Sequence, residues 1–142
     1  MIKLPDVTLV VFDTMCHDLT QMAIDDCLKH IEPADVMVFT DKAGVRYGRQ
    51  VDEFTDEDKI RDYSLYKLPS LVSTQHIFFI HWDSWIIDPG MWRDEFLSYD
   101  YIGAPWWYTD GMNVGNSGFH IRSRALMQHM VVRIRHHGRL EI

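Results

Sequence analysis

The chain has 142 residues, 46% hydrophobic and 25% charged, close to ordinary globular usage and enough for one domain around one core, which excludes whole-chain disorder. Its longest apolar runs, 7–12 and 77–80, fall far short of the ~20 residues of a membrane-spanning helix, and Asp6 and Asp13 bracket the N-terminal run, so neither a span nor a signal peptide is expected. The net charge of −7 is uneven, 9 Lys and Arg against 20 Asp and Glu over 1–110 but 5 Arg against 1 Glu over 111–142: the acidic body argues against nonspecific nucleic-acid binding, and the basic end suits either an anionic ligand or a solvated helix face.

Residues 7–12 (Val-Thr-Leu-Val-Val-Phe) are β-rich and almost wholly apolar, as in a parallel strand buried on both faces, and the run stops at Asp13 and Thr14. A helix is predicted over 18–31, with Leu19, Met22, Ala23, Cys27 and Leu28 on one face and Pro33 ending it. On one helix Cys16 and Cys27 would lie ~16 Å apart, too far for a disulfide, so reduced thiols in a cytoplasmic protein are expected. A second strand over 36–40, ending at Asp41, completes a strand–helix–strand unit with a right-handed connection. Residues 42–59 are polar, with a short strand near 50–54. A helix over 58–68 carries Ile60, Tyr63 and Tyr66, and Pro69 closes or kinks it. Residues 76–82 form a third strong strand, broken by Asp83 and Ser84. An extended piece at 85–87, a short helix over 88–97 and a strand over 100–105 follow. Residues 106–112 make an aromatic loop and 114–121 a glycine-rich strand or turn. Ser123 caps a last helix reaching about 134.

Three features of this α/β pattern suit chemistry. Each apolar strand ends in or beside an aspartate, Asp13, Asp41 or Asp83, at the carboxyl edge where open α/β sheets bind ligands. Carboxylates there suit ribose hydroxyls or a divalent cation, and equally plain turns. His81-Trp-Asp83 follows the third strand, which suits a metal or phosphate site as well as a buried histidine and a turn aspartate. In Val114-Gly-Asn-Ser-Gly-Phe-His-Ile-Arg-Ser123, two glycines flank Asn116 and Ser117 and let backbone approach a ligand, while the Asn116 amide both donates and accepts, as sugar recognition needs. Trp106, Trp107 and Tyr108 offer a platform for a sugar ring, or else a core plug or dimer contact. Dinucleotide, P-loop, zinc-spacing and nucleophile-elbow motifs are absent. His136 and His137, adjacent on a helix, read as solvated.

The strings Asp83-Ser-Trp-Ile-Ile-Asp-Pro, Met91 through Tyr99-Asp-Tyr-Ile-Gly-Ala-Pro-Trp106, and Val114 through Ser123 resemble an uncharacterised glycosyltransferase-like family, domain of unknown function 5672, and the likeness spans about 5–130. It implies a compact or truncated GT-A-like (Rossmann-like) domain over 1–142, a mostly parallel sheet flanked by helices. That domain is about 60 residues or more short of its usual size and so is expected to lack a C-terminal portion or to complete its site as a homodimer. GT-A enzymes place an Asp-x-Asp after such a strand, and here His81 holds its first position and Asp83 its second. Asn116-Ser-Gly118 also resembles the Asn-Ser-Gly of retaining hexosyltransferases. The implied activity is transfer of a sugar from a nucleotide-diphosphate donor such as a UDP-sugar to a hydroxyl of a glycan, protein or modified nucleobase. Asp83 and His81 would hold Mn²⁺ or Mg²⁺, with Asp83 and Asn116 catalytic. Asp13, Thr14, Asp41, His81, Ser117, Gly118 and Arg122 would bind donor, Arg124 sharing with Arg122 the neutralisation of phosphate, and Trp106 and Trp107 would face the acceptor. The alternatives are a non-catalytic nucleotide-sugar-binding module, and a structural or interaction protein that uses the aromatic loop.

Overall fold

A computed structural model describes residues 1–52 and 54–137, with side chains as far as 133. Eleven residues of β1 (Ile2–Phe12) lead to α1 (His17–Leu28), β2 (Ile31–Thr40) and the short β3 (Gly48–Gln50). Two helices, α2 (Glu57–Tyr66) and α3 (Leu68–Leu71), precede β4 (His76–Ile80). Two 3-10 turns, Pro89–Met91 and Asp94–Ser98, lead to β5 (Tyr101–Gly103), β6 (Phe119–Ser123) and α4 (Arg124–His137). The six strands form one sheet in the order β3-β2-β1-β4-β6-β5. β3, β2, β1 and β4 run parallel, β6 is antiparallel to β4, and β5 is antiparallel to β6. The result is the mixed α/β class that the sequence predicts.

Alternation along the central strands explains why they read as unbroken apolar runs. In β1, Leu9 and Val11 join Ile80, Ile121, Ala23, Ile24 and Cys27 on the α1 face, while Val10 joins Ile77, Phe79, Leu68 and Met127 on the face covered by α2, α3 and α4. Both faces are buried, so no polar half of the period survives. Phe12, at the end of β1, stacks on Phe39 and Phe79 at 5.0 and 5.7 Å between centroids, which seals the second layer just under the sheet's carboxyl edge.

Several boundaries differ from expectation, each for a physical reason. β1 begins at Ile2, five residues before the apolar run, because Ile2, Lys3 and Leu4 pair with Ile31, Glu32 and Pro33 before the register shifts between Leu4 and Thr8. Pro33 therefore sits inside β2 and does not end α1. It is tolerated there because β3 covers only Val38, Phe39 and Thr40, which leaves the outer edge of β2 open at Pro33, where an N–H is not needed. The buried face of α1 is Thr20, Ala23, Ile24 and Cys27, while Leu19 and Met22 are exposed, so the helix is rotated from the predicted stripe toward its small and β-branched residues. Pro69 opens α3 at its first turn, a place that needs no N–H, and does not close the preceding helix. The predicted strand near 50–54 is a strand only to Gln50, after which Val51 and Phe54 plug the core from a turn. The predicted helix over 88–97 resolves into the two 3-10 turns, the first started by the Asp88 carboxylate accepting the Gly90 N–H at 2.9 Å. Ser123 caps α4 as expected, its Oγ accepting the Leu126 N–H at 3.0 Å. Cys16 and Cys27 are free thiols, and burial pushes Cys27 up to about 11. Among the described residues no helix is long and apolar enough to cross a membrane.

Candidate functional site

Because β1, β2 and β4 are parallel, their carboxyl ends share one edge, and antiparallel β6 starts from that same edge. Asp13 and Thr14, Asp41, His81 through Ser84, and Asn116 through Gly118 are thereby gathered along it. Gly103, paired with His120, ends β5 at this edge as well, so the aromatic loop leaves from it. Arg124 lies at the opposite edge: it follows Ser123, which pairs with His76 at the start of β4, and its N–H bonds the Gln75 carbonyl. That position removes it from any phosphate role at this site.

Two grooves border the edge and meet at His81. The first, about 380 Å³, lies between the β1 end and the N-terminus of α2, with Phe12, Thr14, Phe54, Glu57, His81 and Trp82 among its walls. The second, about 450 Å³, continues under α2 along β4 and β6, past Phe79, Ser117, His120 and Arg122.

Asp13 stands at the head of the first groove and is only 7% exposed. Its Oδ1 accepts the N–H groups of Met15 and Cys16 at 2.9 and 2.8 Å, and its Oδ2 faces His17 Nδ1 at 3.2 Å. Burial works to raise its pKa, but those N–H donors, with Thr20 and His17, hold it below the ordinary carboxylate value. His17 Nε2 in turn lies 3.4 Å from Thr40 Oγ1 and 3.9 Å from the Asp41 carboxylate. Asp13 and Asp41 are thus joined through His17, a residue sequence reading passed over. Its position four after Asp13, at the start of a helix, was the available signal. Both Asp13 and Thr14 line the groove; the Asp13 carboxylate is committed to shaping the turn, and Thr14 adds the turn's hydroxyl.

Asn116, Ser117 and Gly118 form a strap held from three sides. The Tyr101 hydroxyl donates to the Asn116 carbonyl at 2.5 Å, Ser84 Oγ donates to the Gly118 carbonyl at 2.9 Å, and His120 Nδ1 lies 3.1 Å from the Ser117 carbonyl. Ser84 Oγ also accepts the His81 N–H at 2.8 Å, so one hydroxyl ties the end of β4 to the start of β6. The Asn116 amide oxygen accepts the Gly118 N–H at 3.2 Å, an Asx-type closure of its own turn. A Cβ on Gly103 would meet the Asn116 carbonyl, His120 and Tyr101, each at 3.1 Å, so glycine is what lets β5 approach the strap. Tyr101, Ser84 and His120 were not singled out from sequence. Tyr101 and Gly103 belong to the string that carries the family resemblance, and their packing gives that string a structural reason.

Asp83 is exposed in the turn after β4 and lines neither groove, whereas His81 lines both. Among the described residues no group of three His, Cys, Asp or Glu side chains is placed to hold a metal. Asp83 and His81 would supply at most two ligands, so a Mn²⁺ or Mg²⁺ held there would complete its shell with donor phosphates and water. Trp106, half-buried, and Trp107, 79% exposed, pack on each other and on Tyr108 with centroids 5.6–6.0 Å apart. The loop is closed by the Trp106 N–H on the Asn113 carbonyl at 2.8 Å. Arg122 lies one layer down, beside the second groove. The side chains of His136 and His137 lie outside the described residues.

A family model described as "Protein of unknown function (DUF5672)" matches residues 49–139, from β3 through α4. No curated protein and no solved structure matches the chain.

Proposed function

The chain belongs to the family described as Protein of unknown function (DUF5672), and from that premise we propose that it is a glycosyltransferase of GT-A type, acting on a nucleotide-diphosphate sugar and a hydroxyl acceptor. The observation that carries the reading is the convergence on one sheet edge of a groove walled by Phe12, Thr14, Phe54 and His81 with a second groove, reached at His81, that Ser117 of the pinned Asn116–Gly118 strap lines. Phe12 and Phe54 give a nucleoside base an apolar surface, and Thr14 gives its ribose a hydroxyl partner. Asp13 and Asp41 act at one remove, by fixing the turn and His17. The diphosphate then runs toward His81, where the two grooves meet, and the sugar lies against Asn116, Ser117 and Gly118.

In this reaction the bond from the anomeric carbon to the diphosphate oxygen breaks, and a bond to the acceptor oxygen forms. The acceptor hydroxyl passes its proton to an oxygen of the departing diphosphate, on which negative charge grows as the bond breaks. A ring N–H of His81 meets that charge, and the strap, held by three hydrogen bonds, needs no reorganisation to hold the sugar. Trp106 and Trp107, packed on each other in the loop that leaves the same edge, would offer an acceptor ring a surface to stack on. The implied Mn²⁺ or Mg²⁺ would supply further charge neutralisation if bound with the donor. A non-catalytic nucleotide-sugar-binding module is the second reading, and the position of Asp83 outside both grooves favours it.

The test is calorimetric titration of the full chain with UDP-glucose, with and without Mn²⁺, followed by assay of released UDP. Binding that is weakened by Thr14→Val and by His81→Ala, together with UDP release, is expected. Binding without UDP release selects the module. No binding of any nucleotide-sugar, with or without Mn²⁺, overturns both readings.

A further inference from the structure

Arg122 stands in the middle of β6, flanked by Ile77 of β4 and Tyr101 of β5. It is 9% exposed, its Nε has no hydrogen-bond partner, and among the described residues no carboxylate forms an ion pair with it. Burial lowers its pKa from the usual arginine value, with Tyr101 opposing the shift. Buried guanidinium groups are costly and are ordinarily paired. The described residues leave this one without a carboxylate partner, and it borders the groove of about 450 Å³ beneath α2.

A second orphaned group lines the same groove. His120 is 4% exposed, its ring held between Phe79 and Tyr101 at 5.1 and 5.0 Å with interplanar angles under 20°. A carbonyl only accepts, so the contact with the Ser117 carbonyl places the ring proton on Nδ1 and leaves Nε2 as an acceptor, and Nε2 has no partner. His120 and Arg122 are successive residues of one face of β6, whose other face carries Phe119 and Ile121 in the apolar core around α1. Two polar side chains stand where apolar ones would pack without penalty. Ser117 and, from α2, Ser64 and Arg61 add donors along the groove, Glu57 lines it too and brings a carboxylate, and Nε2 of His120 can accept from a ligand's hydroxyl and not from its oxyanion.

We propose that the groove between α2 and β6 is a binding subsite for an oxyanion, a carboxylate or phosphate borne by a sugar-sized ligand, with Arg122 as its cation. The assignment does not depend on the transferase reading, because it rests on the second groove and on charges that the first groove does not use.

The test is thermal denaturation of the full chain titrated with inorganic phosphate and, separately, with glucuronate against glucose, in the wild type, Arg122→Met and Arg122→Lys. The wild-type Tm is expected to rise saturably with phosphate, glucuronate or both, and not with glucose. A response to phosphate alone assigns a phosphorylated ligand, and a response to glucuronate alone assigns a sugar acid. Arg122→Met should lose the response and, with an unpaired buried charge removed, melt above the ligand-free wild type. Arg122→Lys keeps the charge without the planar fork and should bind about tenfold to a hundredfold more weakly. A wild type that responds to neither oxyanion, or an Arg122→Met that responds as the wild type does, overturns the proposal. So does an Arg122→Met that melts below the ligand-free wild type, since the guanidinium is then structural. UDP-glucose titration of the wild type, run apart from the phosphate and glucuronate titrations, keeps this result separate from the fate of the transferase reading.

Discussion

Asp13 and Arg122 are both buried charged residues near one sheet edge, and the chain treats them oppositely. Every oxygen of Asp13 has a partner from its own turn or from His17. Among the described residues the Nε of Arg122 has none, and neither does Nε2 of its neighbour His120. The first arrangement is that of a charge used to build a site, since a satisfied carboxylate fixes a loop without binding anything further. The second is that of a charge held for something outside the chain, at a cost to stability.

Mutation separates the two. Asp13→Ala is expected to have the largest effect, about 3–4 kcal/mol of unfolding free energy, because it strands two backbone N–H groups and His17. Urea denaturation at neutral pH measures it. Because the Asp13 pKa is lowered on folding, its stabilisation is complete above the ordinary value of 3.8 and is lost as the pH falls below that. Asp13→Asn should flatten this acid limb.

The other side of the edge gives the next effect. Burial, with smaller contributions from Arg122 and His81, pushes His120 down to about 4 from an ordinary 6.5. The unfolded chain therefore takes up a proton first, and stability falls as the pH drops from 6.5 toward 4, by about 3 kcal/mol in all. His120→Phe should keep the stack between Phe79 and Tyr101 and abolish that slope. Retention of the full slope in that variant would assign it to another group. Gly103→Ala is expected to cost about 1–2 kcal/mol, because the strap must yield to a new methyl, and to weaken sugar binding along with stability. Trp107→Ala, at an exposed tip, should change stability by less than about 0.5 kcal/mol. Any larger loss, read in acceptor transfer alone, would place the acceptor at the aromatic loop.

The parallel half of the sheet was legible because burial on both faces leaves continuous apolar runs, as at 7–12 and 76–80, each ending at a polar turn. The edge was legible for the same reason, since parallel strands that end in or beside Asp13, Asp41 and Asp83 bring those ends to one side. What could not be read was which side chains face a groove. Asp83 follows a strand as His81 does, but the turn leaves it exposed. Nor did hydropathy reveal the face of α1, since Leu19 and Met22 outscore Thr20, and Thr20 is the one buried. Arg122 was visible as a cation near the glycine strap. Its burial depends on the strands on either side, β4 and β5, which are distant in sequence from β6.

Pro33 has a consequence beyond its place in β2. Among the described residues no strand pairs with the outer side of β2 from Ile31 until β3 begins at Val38, and an unpaired strand edge invites another chain to add to it. This stretch discourages that addition three times over. Pro33 offers no N–H, Glu32 and Asp35 place exposed carboxylates along the rim, and the Asp35 side chain accepts the Val36 N–H at 2.7 Å, which occupies a donor that a neighbouring strand would need. Association of copies through this rim is disfavoured. A residue that looked like a helix stop serves to keep the sheet from growing at crowded cellular concentrations.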